Sequence, residues 1–301
     1  MEFTLYLVSK NPLEEEKQNL LLEEAKNMAG QNIEGVFSTT SEIRYDNRLT
    51  GVHFQIYYAA EGQNVTSGEK VIPEDIYDTG LAFKIPFFKG VFFAYEALWL
   101  ITKLCNNYQL QIVNPHRHSA EPEVSQQNFN EIIDDYKELN SKVSHELIKE
   151  EKFREIYYYL PEKKALQWWR FMFHKDYLEE TYQKGEGIFV PSLMLLNNPQ
   201  NRNISRAFIM KTGLITLFPD ADLVMVTDED DNIKAWKTEA FIKKAPGPVK
   251  QIEFQNSTYT AIDLKEPPRE GDKNKPIGTF DDYSIIPSSS VLTEDLRELL
   301  E

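Results

Sequence analysis

The sequence predicts an α+β protein with two domains and a C-terminal arm. In residues 1–118 a strand, a helix, a meander, a second helix and a closing strand follow one another. Residues 119–264 begin with two long helical patterns and continue with short strand patterns, after a boundary segment rich in Pro, His, Ser and Glu. Residues 265–301 contain a polar, Pro-rich stretch typical of an extended arm, followed by a short helix. With 301 residues, 41% of them hydrophobic, the chain can bury one large core or two of medium size.

The first domain opens with a strand and a helix. Residues 2–9 alternate between two faces, which is typical of a strand. Asn11 can cap the helix that follows, Pro12 suits its first turn, and Gly30 closes it. Short strand patterns then predict a meander at 35–39, 42–45 and 52–59.

Three further elements complete this domain. Residues 81–88 are apolar and β-prone, residues 92–106 carry a helical stripe, and residues 109–113 form a closing strand. The order β-α-β-β-β-α-β predicts a ferredoxin-like split βαβ variant, in which an antiparallel sheet carries helices on one face.

A helical pair opens the second domain. Ser125 or Asn128 can cap a first helix that extends to about Lys152, and a second helix covers about residues 161–183. A largely antiparallel sheet is predicted after them, from strand patterns at 188–196, 204–210, 214–218, 222–227, 232–237, 249–254 and 259–264. In the arm, Thr293 can cap the short terminal helix.

Net charge limits the classes of partner. The chain carries 48 Asp and Glu against 33 Lys and Arg, which gives a formal charge of −15. Such an excess repels nucleic acid and anionic membranes, and it accelerates encounters with basic proteins by long-range steering. Acidic solubility alone also explains this charge. We therefore expect no nucleic-acid partner, no membrane partner, and a basic protein partner if the charge has a binding role.

The sequence favours a cytoplasmic protein. Cys105 is the single cysteine, so no intramolecular disulfide can form, and we expect it to be a buried free thiol. Residues 1–6 lack the basic start and long apolar core of a secretion signal. The longest apolar stretch, residues 91–100, is interrupted by Glu96 and is shorter than the roughly 20 residues that span a bilayer.

Complete catalytic motifs are missing from the sequence. Ser192 lacks the G-x-S-x-G elbow of hydrolases, and no Gly-rich phosphate loop or dinucleotide fingerprint occurs. His116 and His118 could face one metal ion in an extended segment, but no third ligand is apparent. We therefore expect no catalytic residues, no metal site and no cofactor.

The densest run of carboxylates, residues 228–231, follows the apolar strand predicted at 222–227. Such a run is typical of a solvated hairpin turn, but it could also contact a basic partner. A metal site is a third interpretation, although the spacing does not match a calcium loop. A second acidic pair lies in the first helix of the second domain. The acidic partner-binding candidates are Asp228, Glu229, Asp230, Asp231, Asp134 and Asp135.

Aromatic side chains are concentrated in residues 157–173 of the second domain. Tyr158 belongs to a run of three tyrosines, and Trp168 and Trp169 are adjacent in the second helix. Neighbouring helical side chains point about 100° apart, so the two tryptophans do not share a narrow stripe. One of them could be exposed as an interface anchor, whereas burial is the usual fate of large aromatics. Tyr158, Trp168 and Trp169 are therefore partner-binding candidates.

A strand, turn and strand at 45–54 read Tyr-Asp-Asn-Arg-Leu-Thr-Gly-Val-His-Phe, with Gly51 free to adopt positive φ. This pattern, with Phe-Pro-Asp-Ala-Asp-Leu-Val at 218–224, resembles uncharacterised bacterial proteins from toxin and immunity gene neighbourhoods. The resemblance covers about a fifth of the chain and supplies no catalytic residue. It implies a role in toxin immunity.

Together these features predict a non-enzymatic acidic binding protein, most concretely an immunity protein that blocks a basic toxin by occlusion. One alternative is a divalent-metal-dependent hydrolase that uses Asp220, Asp222, Asp228 and Asp230. Another alternative is a structural or assembly module.

Overall fold

A computed structural model of the chain describes its structure in residues 2–12, 20–21, 23–25, 27, 42–58, 76–116, 124–125, 129–199, 203–227, 232–243, 245, 247–255, 257–266 and 275–296. It is a mixed α and β protein with antiparallel sheets, as the sequence predicts. Two compact units are present: Met1–Tyr157 with Val291–Glu301, and Tyr158–Ser290. The boundary expected at residue 118 lies inside the first unit.

The first unit contains a six-stranded antiparallel sheet with the order β2-β3-β4-β1-β5-β6. Buried apolar side chains of β1 and β4 form the centre of its core. The strands are β1 (Glu2–Ser9), β2 (Glu42–Asp46), β3 (His53–Tyr58), β4 (Tyr77–Pro86), β5 (Gln111–Val113) and β6 (Val124–Ser125). The strand predicted at 35–39 lies outside the described residues.

Helices cover this sheet. The described residues between 20 and 27 are helical, with Leu21 and Ala25 buried, as the predicted first helix requires. Helix α1 (Phe92–Tyr108) packs on β3 and β4 and also contacts helix α2 (Phe129–Leu147). A short helix, α3 (Glu151–Arg154), follows α2.

The C-terminal segment belongs to the first unit. The Asn140 amide donates to the Lys89 carbonyl at 2.8 Å and to Glu294 at 2.6 Å, and its oxygen accepts from the Phe88 N–H at 2.7 Å. The Thr293 hydroxyl accepts from the Val91 N–H at 3.0 Å, and most of the terminal helix that Thr293 is predicted to cap lies outside the described residues. These bonds fix the chain between β4 and α1.

The second unit has a helical segment and two sheets. Helix α4 (Glu162–Phe173), helix α5 (Lys175–Leu178) and a π-helical turn (Glu179–Lys184) replace the single predicted helix. The predicted helical pair is thus divided, because α2 lies in the first unit and α4 in the second. The sheets have the orders β15-β12-β11-β9-β8-β16 and β10-β14-β13.

All strand pairs in these two sheets are antiparallel except β9 with β11. The strands are β8 (Met194–Asn197), β9 (Ile204–Met210), β10 (Ile215–Phe218), β11 (Leu223–Thr227), β12 (Ile233–Lys237), β13 (Lys250–Phe254), β14 (Ser257–Asp263), β15 (Gly278–Thr279) and β16 (Ser284–Ile285), with helix α6 (Thr238–Ile242) after β12. Two-residue strands β7 (Tyr158–Tyr159) and β17 (Val291–Leu292) complete the chain.

The arm predicted at 265–301 is attached to this unit in part. β15 pairs with β12 and β16 with β8, so the arm supplies both outer strands of the larger sheet. Short outer strands protect the inner ones from pairing with another chain. Among the described residues, the helices are all too short or too polar to cross a membrane.

Candidate functional site

The predicted acidic candidates have different positions. The run Asp228–Asp231 lies outside the described residues. Asp134 is exposed on α2, whereas Asp135 is half-buried and accepts a 2.8 Å hydrogen bond from the Asn114 amide. Of this set, Asp134 is the candidate whose carboxylate is open to solvent in the described structure.

Both tryptophans are buried in the second unit. Trp168 is 4% exposed and its indole N–H donates to the Leu193 carbonyl at 2.7 Å. Trp169 is 9% exposed and stacks on Phe173 with ring centroids 5.3 Å apart. Their burial agrees with the core interpretation and leaves little side-chain surface for a partner. Tyr158 is half-buried.

An aromatic pair with one exposed member lies next to this core. Tyr177 is 56% exposed and stacks on Phe254 of strand β13, with ring centroids 5.1 Å apart. Exposed carboxylates lie near the pair in sequence: Asp176 precedes Tyr177, Glu180 follows it by three residues and pairs with Lys184, and Glu253 precedes Phe254. We call the aromatic pair and these three carboxylates the Tyr177 surface. The helical spacing of Tyr177 from Phe173 predicts that they share a face, but only the tertiary fold brings Phe254 to it.

The 45–54 motif has a structural explanation. Glu96 of α1 is 1% exposed, and its Oε1 atom accepts from the Tyr45 hydroxyl at 2.7 Å and the Asn47 amide at 2.7 Å. The Thr50 hydroxyl donates to the same oxygen at 3.1 Å. Burial and the Glu96 charge raise the pKa of Tyr45 well above its usual value, so the hydroxyl stays protonated. Gly51 completes the turn at φ +66°.

A buried arginine organises polar side chains in the second unit. Arg206 of β9 is 3% exposed, and its guanidinium donates to Asp222 at 3.2 and 3.3 Å. Lys164 also donates to Asp222, at 2.7 Å. Burial by itself raises the pKa of Asp222, but the hydrogen bonds from Arg206 and Lys164 outweigh it and hold that pKa below its usual value.

The same guanidinium reaches the wall of a cavity. Arg206 donates to Gln167 at 3.1 Å and to Asp220 at 3.4 Å. Both acceptors line a cavity of about 410 Å³. Its other described lining residues are Arg170, Phe171, Ser257, Thr258 and Tyr259.

Sequence reasoning did not single out this cavity. An arginine among the apolar residues of β9 signals a buried charge that needs a carboxylate, and this signal could have indicated Asp222. The hydroxyls of β14 come from more than 30 residues further along the chain, and no local pattern predicts that they meet α4.

The histidine and cysteine candidates have ordinary structural roles. The Nε2 atom of His116 accepts from the Thr4 N–H at 3.0 Å, and its ring stacks on Phe3. His118 lies outside the described residues. Cys105 is a buried free thiol, as predicted, and burial raises its pKa to about 12. Within the described part of the chain, no three His, Cys, Asp or Glu side chains converge to hold a metal ion.

Comparison with protein-family models, with curated proteins and with solved structures finds no match for this chain. Its functional interpretation therefore depends on the geometry and charge described above.

Proposed function

We propose that this is a non-enzymatic binding protein whose acidic surface engages a basic protein. The observation that carries the proposal is the Tyr177 surface, where exposed Tyr177 stacks on half-buried Phe254 and three exposed carboxylates lie within three residues of these rings in the chain. Aromatic side chains at the centre of an interface contribute most of the binding energy, and charges at the rim raise the association rate. The formal charge of −15 adds long-range attraction for a basic partner.

The most concrete form of this proposal is a cytoplasmic immunity protein that occludes a bacterial toxin. The resemblance of the 45–54 and 218–224 segments to proteins from toxin and immunity gene neighbourhoods favours it. The buried Glu96 cluster gives the first of these segments a structural role, so the proposed interface lies at the Tyr177 surface of the second unit.

The test uses the basic proteins encoded beside this gene, each purified and mixed with the full chain. We expect one of them to bind stoichiometrically and to lose its toxicity when both are co-expressed. Reversing Asp176, Glu180 and Glu253 to lysine should slow association about tenfold at low salt, and Tyr177→Ala should speed dissociation by a similar factor.

Two comparisons make the result specific. Glu239→Lys with Asp281→Lys reverses two exposed carboxylates elsewhere in the same unit and should change association much less. Reversal of Asp228, Glu229, Asp230 and Asp231 tests the acidic run separately. Equal rates for all variants, or no binding by any neighbouring basic protein, would contradict the proposal.

We also propose that the first unit is a ferredoxin-like split βαβ variant with added edge strands. The strand order β3-β4-β1-β5 supports this assignment. β4 and β5 are joined through α1 and both pair with β1, which is the relationship that defines a split βαβ unit.

A further inference from the structure

The cavity of the second unit contains two opposite charges that do not pair with each other. Arg170 of α4 and Asp220 both line it, and no ion pair joins them. The Arg170 guanidinium makes no hydrogen bond or ion pair with any described residue. Asp220, whose side chain is 57% exposed, pairs with Arg206 through Oδ1 and leaves its second oxygen unused by that arginine.

Arg206 holds part of the cavity wall in place. Because it donates to the Gln167 side-chain oxygen, the Gln167 NH₂ group points away from it and remains a donor. The arginine is itself held by Asp222, so Gln167 and Asp220 are oriented by an ion pair whose arginine is buried and whose aspartate is partly buried. Arg206 is therefore a positioning residue for this cavity.

The remaining walls supply hydroxyl groups and the edges of two rings, Phe171 and Tyr259, which are 2% and 8% exposed. Ser257 and Thr258 contribute hydroxyls, and Ser257 hydrogen-bonds to Tyr259. The Phe171 ring packs edge-on against the Tyr259 ring, with centroids 5.7 Å apart. A volume of about 410 Å³ lies within the range of small-molecule sites.

We propose that this cavity binds a small zwitterion, a free α-amino acid or a dipeptide. The carboxylate of the ligand pairs with Arg170, whose planar fork can bind it through two parallel hydrogen bonds. Its ammonium group pairs with Asp220, and its side chain lies beside the small apolar part of the wall formed by the Phe171 and Tyr259 rings. The inference is independent of the proposed partner, because the Tyr177 surface does not include these residues.

Thermal unfolding of the full chain, with each proteinogenic amino acid and simple dipeptides added separately, tests the proposal. A ligand selective for the folded state raises the melting temperature. We expect at least one zwitterion to do so, and calorimetry should show at least about tenfold weaker binding when its carboxylate or its amine is removed.

Arg170→Gln and Asp220→Asn should each weaken the zwitterion at least about tenfold. Arg170→Gln should also abolish discrimination against the analogue that lacks the carboxylate. Lys163→Gln removes a cation from an exposed, non-lining position of the same helix and should leave binding unchanged. Since Arg170 and Asp220 are solvent-accessible, unliganded melting temperatures near that of the parent will show that the variants fold.

Two results would overturn the assignment. One is that no amino acid or dipeptide raises the melting temperature of the parent protein. The other is that a zwitterion binds equally well to the parent, Arg170→Gln and Asp220→Asn, which would place its site elsewhere.

Discussion

The Tyr45 hydroxyl donates a 2.7 Å hydrogen bond to the Glu96 carboxylate inside the first unit. Tyr45 belongs to β2, the outer strand of the sheet, and Glu96 belongs to α1. Asn47 and Thr50 donate to the same oxygen, so a single buried acceptor fixes the turn between β2 and β3 to the helix. The motif is thereby explained by packing rather than by chemistry on a substrate.

Replacing Glu96 with alanine should destabilise the first unit strongly. The hydroxyl and amide donors of Tyr45, Asn47 and Thr50 would remain buried without their acceptor, and we expect a loss of about 3 kcal/mol in the free energy of unfolding. Amide hydrogen exchange in β1 and β4 measures this loss for the first unit alone. Glu138→Ala, at an exposed position of α2, should change it by less than about 0.5 kcal/mol. A loss that small for Glu96→Ala would contradict the structural role.

Gly51→Ala should also weaken the first unit, by about 1 kcal/mol. Its φ of +66° lies in the left-handed region, where a Cβ atom is strained. The matched control is Gly247→Ala, because Gly247 has no positive φ and a Cβ atom there meets nothing within 4 Å. Chemical denaturation of both variants measures the effect. Equal stability of the two variants would show that the turn tolerates a side chain.

The sequence was a good guide where the pattern is local. Alternation identified β1, and the apolar stripe identified α1 nearly to its last residue, because each reflects the packing of one face on a core. Burial of Cys105 follows from its place in that stripe. Such elements are specified by their own residues.

Features that depend on distant segments could not be predicted. The division of the helical pair depends on which sheet each helix packs against, and periodicity carries no information about that choice. The outer strands β15 and β16 are two residues each, too short to show alternation, and exist only because β12 and β8 offer hydrogen-bonding edges. The same holds for the cavity, whose walls come from α4, β14 and the segment before β11.

The Arg206–Asp222 pair predicts a strong dependence of the second unit on Asp222. Asp222→Ala leaves the buried guanidinium with only the longer 3.4 Å contact to the Asp220 carboxylate, and we expect a loss of about 3 kcal/mol in the free energy of unfolding. Hydrogen exchange in β9 and β11 reports this loss. Arg206→Lys should also be destabilising, because a single ammonium cannot reproduce the contacts to Asp222 and Gln167.

The Asp222 contribution has a defined pH dependence. Because its pKa is lower in the folded state, the stability it provides is present above the unfolded value of about 4 and is lost as the pH falls through the folded value. In Asp222→Ala that loss should be smaller. If the free energy of unfolding of Asp222→Ala falls with decreasing pH as steeply as that of the parent, other carboxylates control acid unfolding.

His174 should make the second unit less stable in mild acid. Burial, with a smaller effect of the Arg170 charge, lowers the pKa of His174 to about 4, and its ring contacts Phe173 and Phe254. Between about pH 6.5 and 4 the unfolded chain therefore binds a proton that the folded unit does not, so stability falls as the pH falls through this window. After allowance for the exposed part of the ring, we expect a loss of about 1 kcal/mol from neutral pH to pH 5.

His174→Gln should lack this component, whereas His145→Gln, at an exposed position of α2, should retain it. Urea unfolding of the three proteins, followed by tryptophan fluorescence, provides the comparison, since Trp168, Trp169 and Trp236 of the four tryptophans belong to the second unit. Parallel pH profiles for all three would refute the assignment.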